Sequence, residues 1–518
     1  MSHEKSATHA SHHDDLVGTK ALPDIARREG GVLLDVTGID GTSLKLAKDG
    51  HTVLLPQPSD DPADPLLWSS SKKHLLLITL AYGAFVTDFI SGLGSSLILA
   101  QGESWHMNPN AVNHATTFNI LFLLVLGASF HLVGTRTYYL LDCLIAVFLN
   151  LGVALSRDFT TFYAFRAVSG LISNAAPTIS IAFIRDIFFF HQRARKIGIW
   201  TSLFIASPYV GPIVANYMLA TTGSWILPLW VGFAAHGLYF VFLLCFLDEC
   251  WYNREVPEAL QPNRPNTLAG RLSRVTGIWQ VKNHRDYFLT LRHSVTRFVR
   301  ALLKPVLILI FFNYLICFAW AIGINITTAI LFGTPAEFGG YGYTYKQLGA
   351  LYFTPVVGVL IGEVIGHFGN DWLAKMYVRR HKGVFEPEVR LVVAEIAAIL
   401  MIIGLVVLGQ ALRSHLAVGV VVFGWGIHSV GLVMLSVTTF AYAVDAYPTV
   451  PAESAGWVSF LRVMGGFSVG YFQQPWAVAV GYNNSFGAQA GTVAFGLIFV
   501  VLVHVFGHRW RVRSGELK

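Results

Sequence analysis

Asp88, Glu363, Asn174, His428, Arg166 and Arg462 each interrupt a long apolar stretch of the chain. Ionisable groups are costly in such surroundings, and where they occur they mark ion or substrate pathways. A carboxylate enclosed by apolar walls can take up and release a proton, or pair with a cationic solute. Asp88 and Glu363 are therefore the candidates for proton coupling or solute binding, with Asn174 and His428 as further solute contacts. Arg166 and Arg462 are candidate counter-charges or gates. Each has a plainer reading. Either acid could be a helix-packing partner, and Glu363 sits in a stripe of small residues, Gly358, Gly362 and Gly366. His428 could be a satisfied core histidine. Arg166 lies about six residues, ~9 Å, from the outer end of its span, so snorkelling competes with gating. Asn325 and Asn119 read as hydrogen-bonding links between helices.

The elements that must position these groups are membrane spans. The 518 residues are 54% hydrophobic and only 13% charged, against about 25% charged in soluble proteins. The apolar residues gather in runs of roughly 20 or more, enough to cross a hydrocarbon core. Hydropathy gives about 12 spans: 74–100, 112–133, 137–156, 161–184, 197–220 and 225–247, then 305–331, 347–369, 391–411, 416–443, 455–479 and 486–507. The expected fold is an all-α membrane protein of twelve transmembrane helices in two six-helix bundles, 73–248 and 305–508. A polar tail, 1–72, is expected to be largely disordered, with 53–68 a Pro/Asp-rich extended segment on the membrane surface and Trp68 in the interface. Segment 249–304 reads as a basic linker with an amphipathic helix along an anionic leaflet, and 509–518 as a short tail.

Basic loops at 191–196, 254–304, 375–390 and 509–518 share one side, while 101–111 and 481–485 carry no Lys or Arg. The positive-inside rule then places both termini in the cytoplasm. The net charge of +7 is spent on these loops, so it argues topology and not nucleic acid. The N-terminus lacks the apolar core of a cleavable signal peptide. Cys143, Cys245, Cys250 and Cys317 have no metal-ligand spacing and read as free thiols. Gly466-Phe467-Ser468-Val469-Gly470 fits a hydrolase pattern but lies inside a span. Gly92-Leu93-Gly94 lacks the third glycine of a dinucleotide site, and no phosphate-binding loop for ATP occurs. An enzyme is not expected, nor is a metal or cofactor.

Local motifs sharpen this picture. Gly127, Gly134 and Arg136 end the second span, with His131 between the glycines. Gly362, Glu363, Gly366, Gly369 and Asp371 follow in the eighth. Arg166 and Gly170 form an Arg-x-x-x-Gly pattern in the fourth. Pro208, Gly211 and Pro212 break the fifth, where small residues and prolines allow close packing and a bend. Two six-span halves with these motifs resemble the major facilitator superfamily, whose solutes bind near the midplane between the halves. The glycine-and-arginine motif implies an ionic latch involving Arg136 and Asp371, with His131 in place of the usual acid. The fifth-span motif is associated in that family with antiporters, although Ser207, Ala215 and Asn216 replace three of its glycines.

Further stretches narrow the resemblance. They are Leu54 to Trp68 before the first span, Gly383-Val384-Phe385-Glu386-Pro387-Glu388-Val389-Arg390 after the eighth, and Ala441 through Asp445, Tyr447 and Pro448 to Arg462. These are similar to a fungal branch of drug:proton antiporters that includes histidinol- and polyamine-type cation transporters. The resemblance implies proton-coupled movement of a small organic solute, by export or by uptake of a polyamine-like cation. A nutrient-sensing receptor without flux is the alternative from another class. A monomer in the plasma membrane is expected.

Overall fold

The structure is a computed structural model that describes residues 32–35, 44–108, 111–112, 135–172, 175–250, 252, 254, 256, 258–262, 264, 267–275, 278–283, 291–335, 337 and 340–515. Ser69 caps the first helix, α1 (Ser70–Trp105), its hydroxyl accepting from Lys72 N–H at 3.3 Å. That acceptor satisfies a donor with no partner inside the helix. The rest of the first bundle is α2 (Thr135–Leu155), α3 (Phe159–Ile172), α4 (Ala175–Ile187), α5 (Phe190–Thr222) and α6 (Leu227–Phe246). Three short helices follow: α7 (Leu268–Val275), α8 (Ile278–Asn283) and α9 (Leu291–Leu302). The second bundle is α10 (Pro305–Gly333), the short α11 (Tyr345–Leu351), α12 (Phe353–Arg380), α13 (Leu391–Arg413), α14 (Val418–Ala446), α15 (Pro451–Val480) and α16 (Tyr482–Ser514).

Among the described residues, eight of these helical stretches are long and apolar enough to cross a bilayer. The expected second span lies outside the described residues beyond Val112, and so do Gly127, His131 and Gly134. Each other expected span coincides with a helix, the fourth as α3 and α4. The basic turn between the fourth and fifth spans is shorter than read from sequence. His191, Arg193, Arg195 and Lys196 form the first turns of α5, because nothing from Phe190 to Lys196 breaks a helix. Likewise α12 runs on to Arg380 and α16 to Ser514, beyond the apolar windows.

Within the first bundle α1 packs on α4, α5 and α6; within the second, α13 packs on α14 and α16, and α10 on α15 and α16. The bundles meet where α5 lies against α11, α12 and α14, and where α4 lies against α15. One face, rich in Arg and Lys, holds the starts of α1, α5, α10 and α15 and the ends of α6, α12, α14 and α16. Arg390 donates to Asp445 at 2.8 Å, Arg511 to Glu388 at 2.9 Å, and Arg297 lies 3.1 Å from Glu453.

On this basic face the polar N-terminal segment departs from expectation. Residues 44–68, read as largely disordered tail leading into an extended segment on the membrane surface, are folded against both bundles. Strand β1 (Val32–Leu33) pairs antiparallel with β2 (Val384–Phe385), in the loop between α12 and α13. Leu55 carbonyl accepts from Phe190 N–H at 2.7 Å, at the start of α5. Asp64, with no solvent exposure, accepts from Arg254 Nε at 3.1 Å and Nη2 at 2.8 Å, and from Ser59 and Leu66 N–H groups. Tyr252 donates to Asp61 at 2.8 Å. Low hydrophobicity argued for disorder, but order here comes from partners far off in sequence. Of the acids in this Pro/Asp-rich stretch, Asp64 is satisfied by the linker's Arg254, Asp61 by Tyr252 and Asp60 by Lys45.

Burial raises the Asp64 carboxyl, yet the Arg254 guanidinium and the N–H donors outweigh it and hold the group below the usual carboxylate range. The stabilisation is therefore complete above about pH 4 and is lost as pH falls through the lowered value. Asp64→Asn should remove about 3 kcal/mol of local stability, the lower end for breaking a buried pair. Limited proteolysis at neutral pH should cut segment 44–68 faster in this variant than in the parent, and the difference should vanish in strong acid.

Candidate functional site

Midway along α1, the Asp88 carboxylate Oδ2 accepts from Arg462 Nη2 of α15 at 2.6 Å. The pair joins the two bundles, and the side chains are only 19% and 4% exposed, respectively. The guanidinium carbon lies 3.8 Å from the ring centre of Phe204 on α5 and 4.9 Å from that of Phe318 on α10. A cation over an aromatic face in a desolvated site is held by the ring quadrupole as well as by the carboxylate. More rings extend the lining: Trp200 packs on Phe204 at 5.1 Å and edge-on to Phe440 at 5.3 Å. Tyr314 closes one side, donating to Ser436 at 3.0 Å. Arg462 Nε has no hydrogen-bond partner among the described residues.

Backbone contacts fix both charges in place. A Cβ on Gly211 of α5 would lie 2.5 Å from the Phe89 carbonyl and 2.6 Å from Leu93 N. A Cβ on Gly92 would lie 2.8 Å from the Pro208 carbonyl. Hence α1 and α5 touch directly beside Asp88, through the Pro208, Gly211 and Pro212 stretch singled out in the sequence. Asn216 adds a hydrogen bond to Ser96 at 3.0 Å. In the other bundle a Cβ on Gly465 would lie 2.6 Å from the Leu315 carbonyl, so α15 meets α10 one turn from Arg462. Each member of the pair is thus carried on a helix packed backbone to backbone within its own bundle.

The remaining candidates sit elsewhere. Glu363 of α12 accepts from Ser202 of α5 at 2.5 Å, an inter-bundle contact separate from Asp88. Its Oε1 would be 2.6 Å from a Cβ on Gly198. Arg166 is 2% exposed and donates to the Ile90 and Ser91 carbonyls of α1, both at 3.3 Å. It turns inward onto α1 and does not snorkel, because its fixed donors reach carbonyls beside Gly94. His428 is buried and its ring nitrogens have no hydrogen-bond partner among the described residues; its Cβ faces Gly404 of α13. That packing keeps it out of the Asp88–Arg462 group. Asp371 lies 4.0 Å from His367, which accepts from Arg195 of α5 at 3.0 Å. Asn174 lies outside the described residues, and of Arg136 only its place in α2 is described.

Contacts close the bundles on both sides of the pair. Toward the basic face, Arg185 donates to the Pro448 carbonyl at 2.8 Å and Ser459 to the Pro177 carbonyl at 3.4 Å. Toward the opposite face, Gly349 of α11 sits where a Cβ would meet Tyr217 at 3.2 Å and Asn216 at 3.3 Å. Sequence reasoning found both charges but missed Phe204, Phe318 and Ser202. Aromatic and hydroxyl residues in an apolar helix carry no mark that separates lining from core.

Gly211→Ala should push α1 away from α5 at Asp88 and cost about 1–3 kcal/mol, read as a lower Tm of the purified protein. Gly237→Ala, where a Cβ would meet no described atom within 4 Å, should leave Tm unchanged or raise it slightly, since alanine favours a helix over glycine.

A profile of the Major Facilitator Superfamily matches residues 78–472. An uncharacterized MFS-type transporter of Schizosaccharomyces pombe is 23% identical, the alignment covering 85% of each chain. The efflux pump radE of Floropilus chiversii is 24% identical over 87% of this chain and 83% of its own. Protein HOL1 of Saccharomyces cerevisiae is 23% identical over 98% and 97%. The structure is similar to the proton:xylose symporter XylE, with a TM-score of 0.56 at 14% identity over 85% of this chain and 96% of that one. The human organic anion transporter MFSD10 gives a TM-score of 0.53 at 13% identity, over 83% and 99%. With two bundles meeting at a central ion pair and the family's pattern running from α1 into α15, the chain belongs to the Major Facilitator Superfamily and is a membrane transporter.

Proposed function

We propose that this transporter is proton-coupled and exports a small organic solute, a drug, metabolite or cationic compound, by alternating access. The observation that carries the proposal is the Asp88–Arg462 pair, which bridges the bundles inside an aromatic lining. One carboxylate can satisfy Arg462, a proton or a cationic group of the solute, but not all at once. Protonation of Asp88 removes its charge and loosens Arg462, so proton and solute exchange by competition for one site. Losing the pair also removes a tie between the bundles, which links occupancy to their relative movement. Glu363, bonded to Ser202 across the α5–α12 contact, is the second candidate for proton exchange.

Export is favoured by the Pro208, Gly211 and Pro212 stretch and by relatives named as an efflux pump and a multidrug transporter. Placement of the basic face in the cytoplasm follows from the positive-inside rule. We assign the protein as a monomer of the plasma membrane with both termini inside. Uptake of a polyamine-like cation by symport would use the same two acids, and flux direction separates the two.

The test is solute flux in sealed vesicles with and without an imposed proton gradient, using polyamines, cationic drugs and fungal metabolites. Asp88→Asn should lower gradient-driven flux about 5- to 150-fold, the range of a typical coupling energy. Glu363→Gln should lower it less. Binding without flux would favour a sensing receptor, and flux indifferent to the gradient and to both substitutions would end the proton-coupling reading.

A further inference from the structure

We propose that a recess on the basic face between α1, α6 and α7 binds the headgroup of an anionic phospholipid. The recess is open, about 440 Å³ in volume, and lined by Lys72, Arg271 and Arg274 together with Leu75, Phe246 and Leu268. These are the two chemistries of a lipid at the interface: cations for a phosphodiester and apolar surface for the upper acyl chains.

The cations are held in place. Lys72 pairs with Asp248 at 2.9 Å and lies 3.6 Å above the Trp68 ring. Arg274 stands 3.8 Å from the same carboxylate. Arg271 donates to the Leu244 carbonyl at 3.0 Å and to that of Cys245, at the end of α6. Among the described lining residues one carboxylate thus faces three cations, a formal positive excess. Such an excess attracts anionic headgroups by roughly fivefold in affinity for each Lys or Arg near the surface.

The apolar part selects a lipid over a free anion. Leu268 of α7 is 81% exposed, and Leu272 one turn on is also exposed. Continuing from Leu75, Ile78 of α1 and Val241 and Leu244 of α6 present exposed side chains along two membrane-spanning helices. A headgroup seated among the cations would lead its chains directly onto that surface. Inorganic phosphate would gain nothing from it.

Native mass spectrometry of the full-length protein in detergent tests this, with phosphatidylserine and phosphatidylcholine added in competition and inorganic phosphate as the soluble arm. The parent protein should retain phosphatidylserine in preference to phosphatidylcholine. Arg271→Gln combined with Arg274→Gln should cut that preference roughly 25-fold, the product of two such contributions. Arg271→Lys with Arg274→Lys should keep it, which separates charge from folding. Leu268→Asp should weaken lipid retention with both arginines in place. Equal retention of the two lipids by the parent, or unchanged preference in the Gln variant, would overturn the proposal. So would inorganic phosphate displacing the lipid at equal concentration.

Discussion

A carboxylate and a guanidinium facing each other at 2.6 Å between two apolar bundles constrain everything around them. Neither charge could stand alone there, because an uncompensated buried ion costs several kcal/mol. The surrounding helices are accordingly built to bring them together. Gly92 and Gly211 let α1 and α5 meet at the backbone beside Asp88, and Gly465 does the same for α15 and α10 beside Arg462. The rings of Phe204 and Phe318 then hold the guanidinium face. A bulky residue at any of these glycines would displace a charge as well as a helix.

The pair is enclosed between two sets of inter-bundle contacts. Toward the basic face these include Arg185 on Pro448, Ser459 on Pro177 and Ser202 on Glu363. Toward the opposite face α11 rests on Tyr217 and Asn216 of α5. The N-terminal segment adds a further connection on the basic face, bonded to Phe190 and Arg254 on one side and to β2 on the other. Bundles that rock about a central site must part on one face at a time. The basic face therefore has more to break, since its side-chain contacts are supplemented by main-chain hydrogen bonds.

Much of this was legible in the sequence. Apolar runs located the helices, and charge in the loops distinguished the faces. Asp88 and Arg462 stood out because charged residues in such runs are rare. Their pairing was not legible, since the two are separated by most of the chain and no local pattern specifies which helices meet. Arg166 shows the same limit: its distance from a helix end suggested snorkelling, but its donors reach α1 carbonyls. Segment 44–68 read as tail and extended surface segment because its stabilising groups, Arg254 and Tyr252, lie beyond the sixth span. Phe204 and Phe318 were invisible as lining because a ring beside a cation and a ring in a core look alike in sequence.

Alternation of Asp88 between Arg462 and a proton is tested most directly by infrared difference spectroscopy of the purified protein in liposomes, recording the carboxylic-acid band through an acid step. Competition for one carboxylate predicts a band in the parent that Asp88→Asn abolishes and that Arg462→Gln already shows at neutral pH. Identical acid-induced spectra in all three proteins would contradict it.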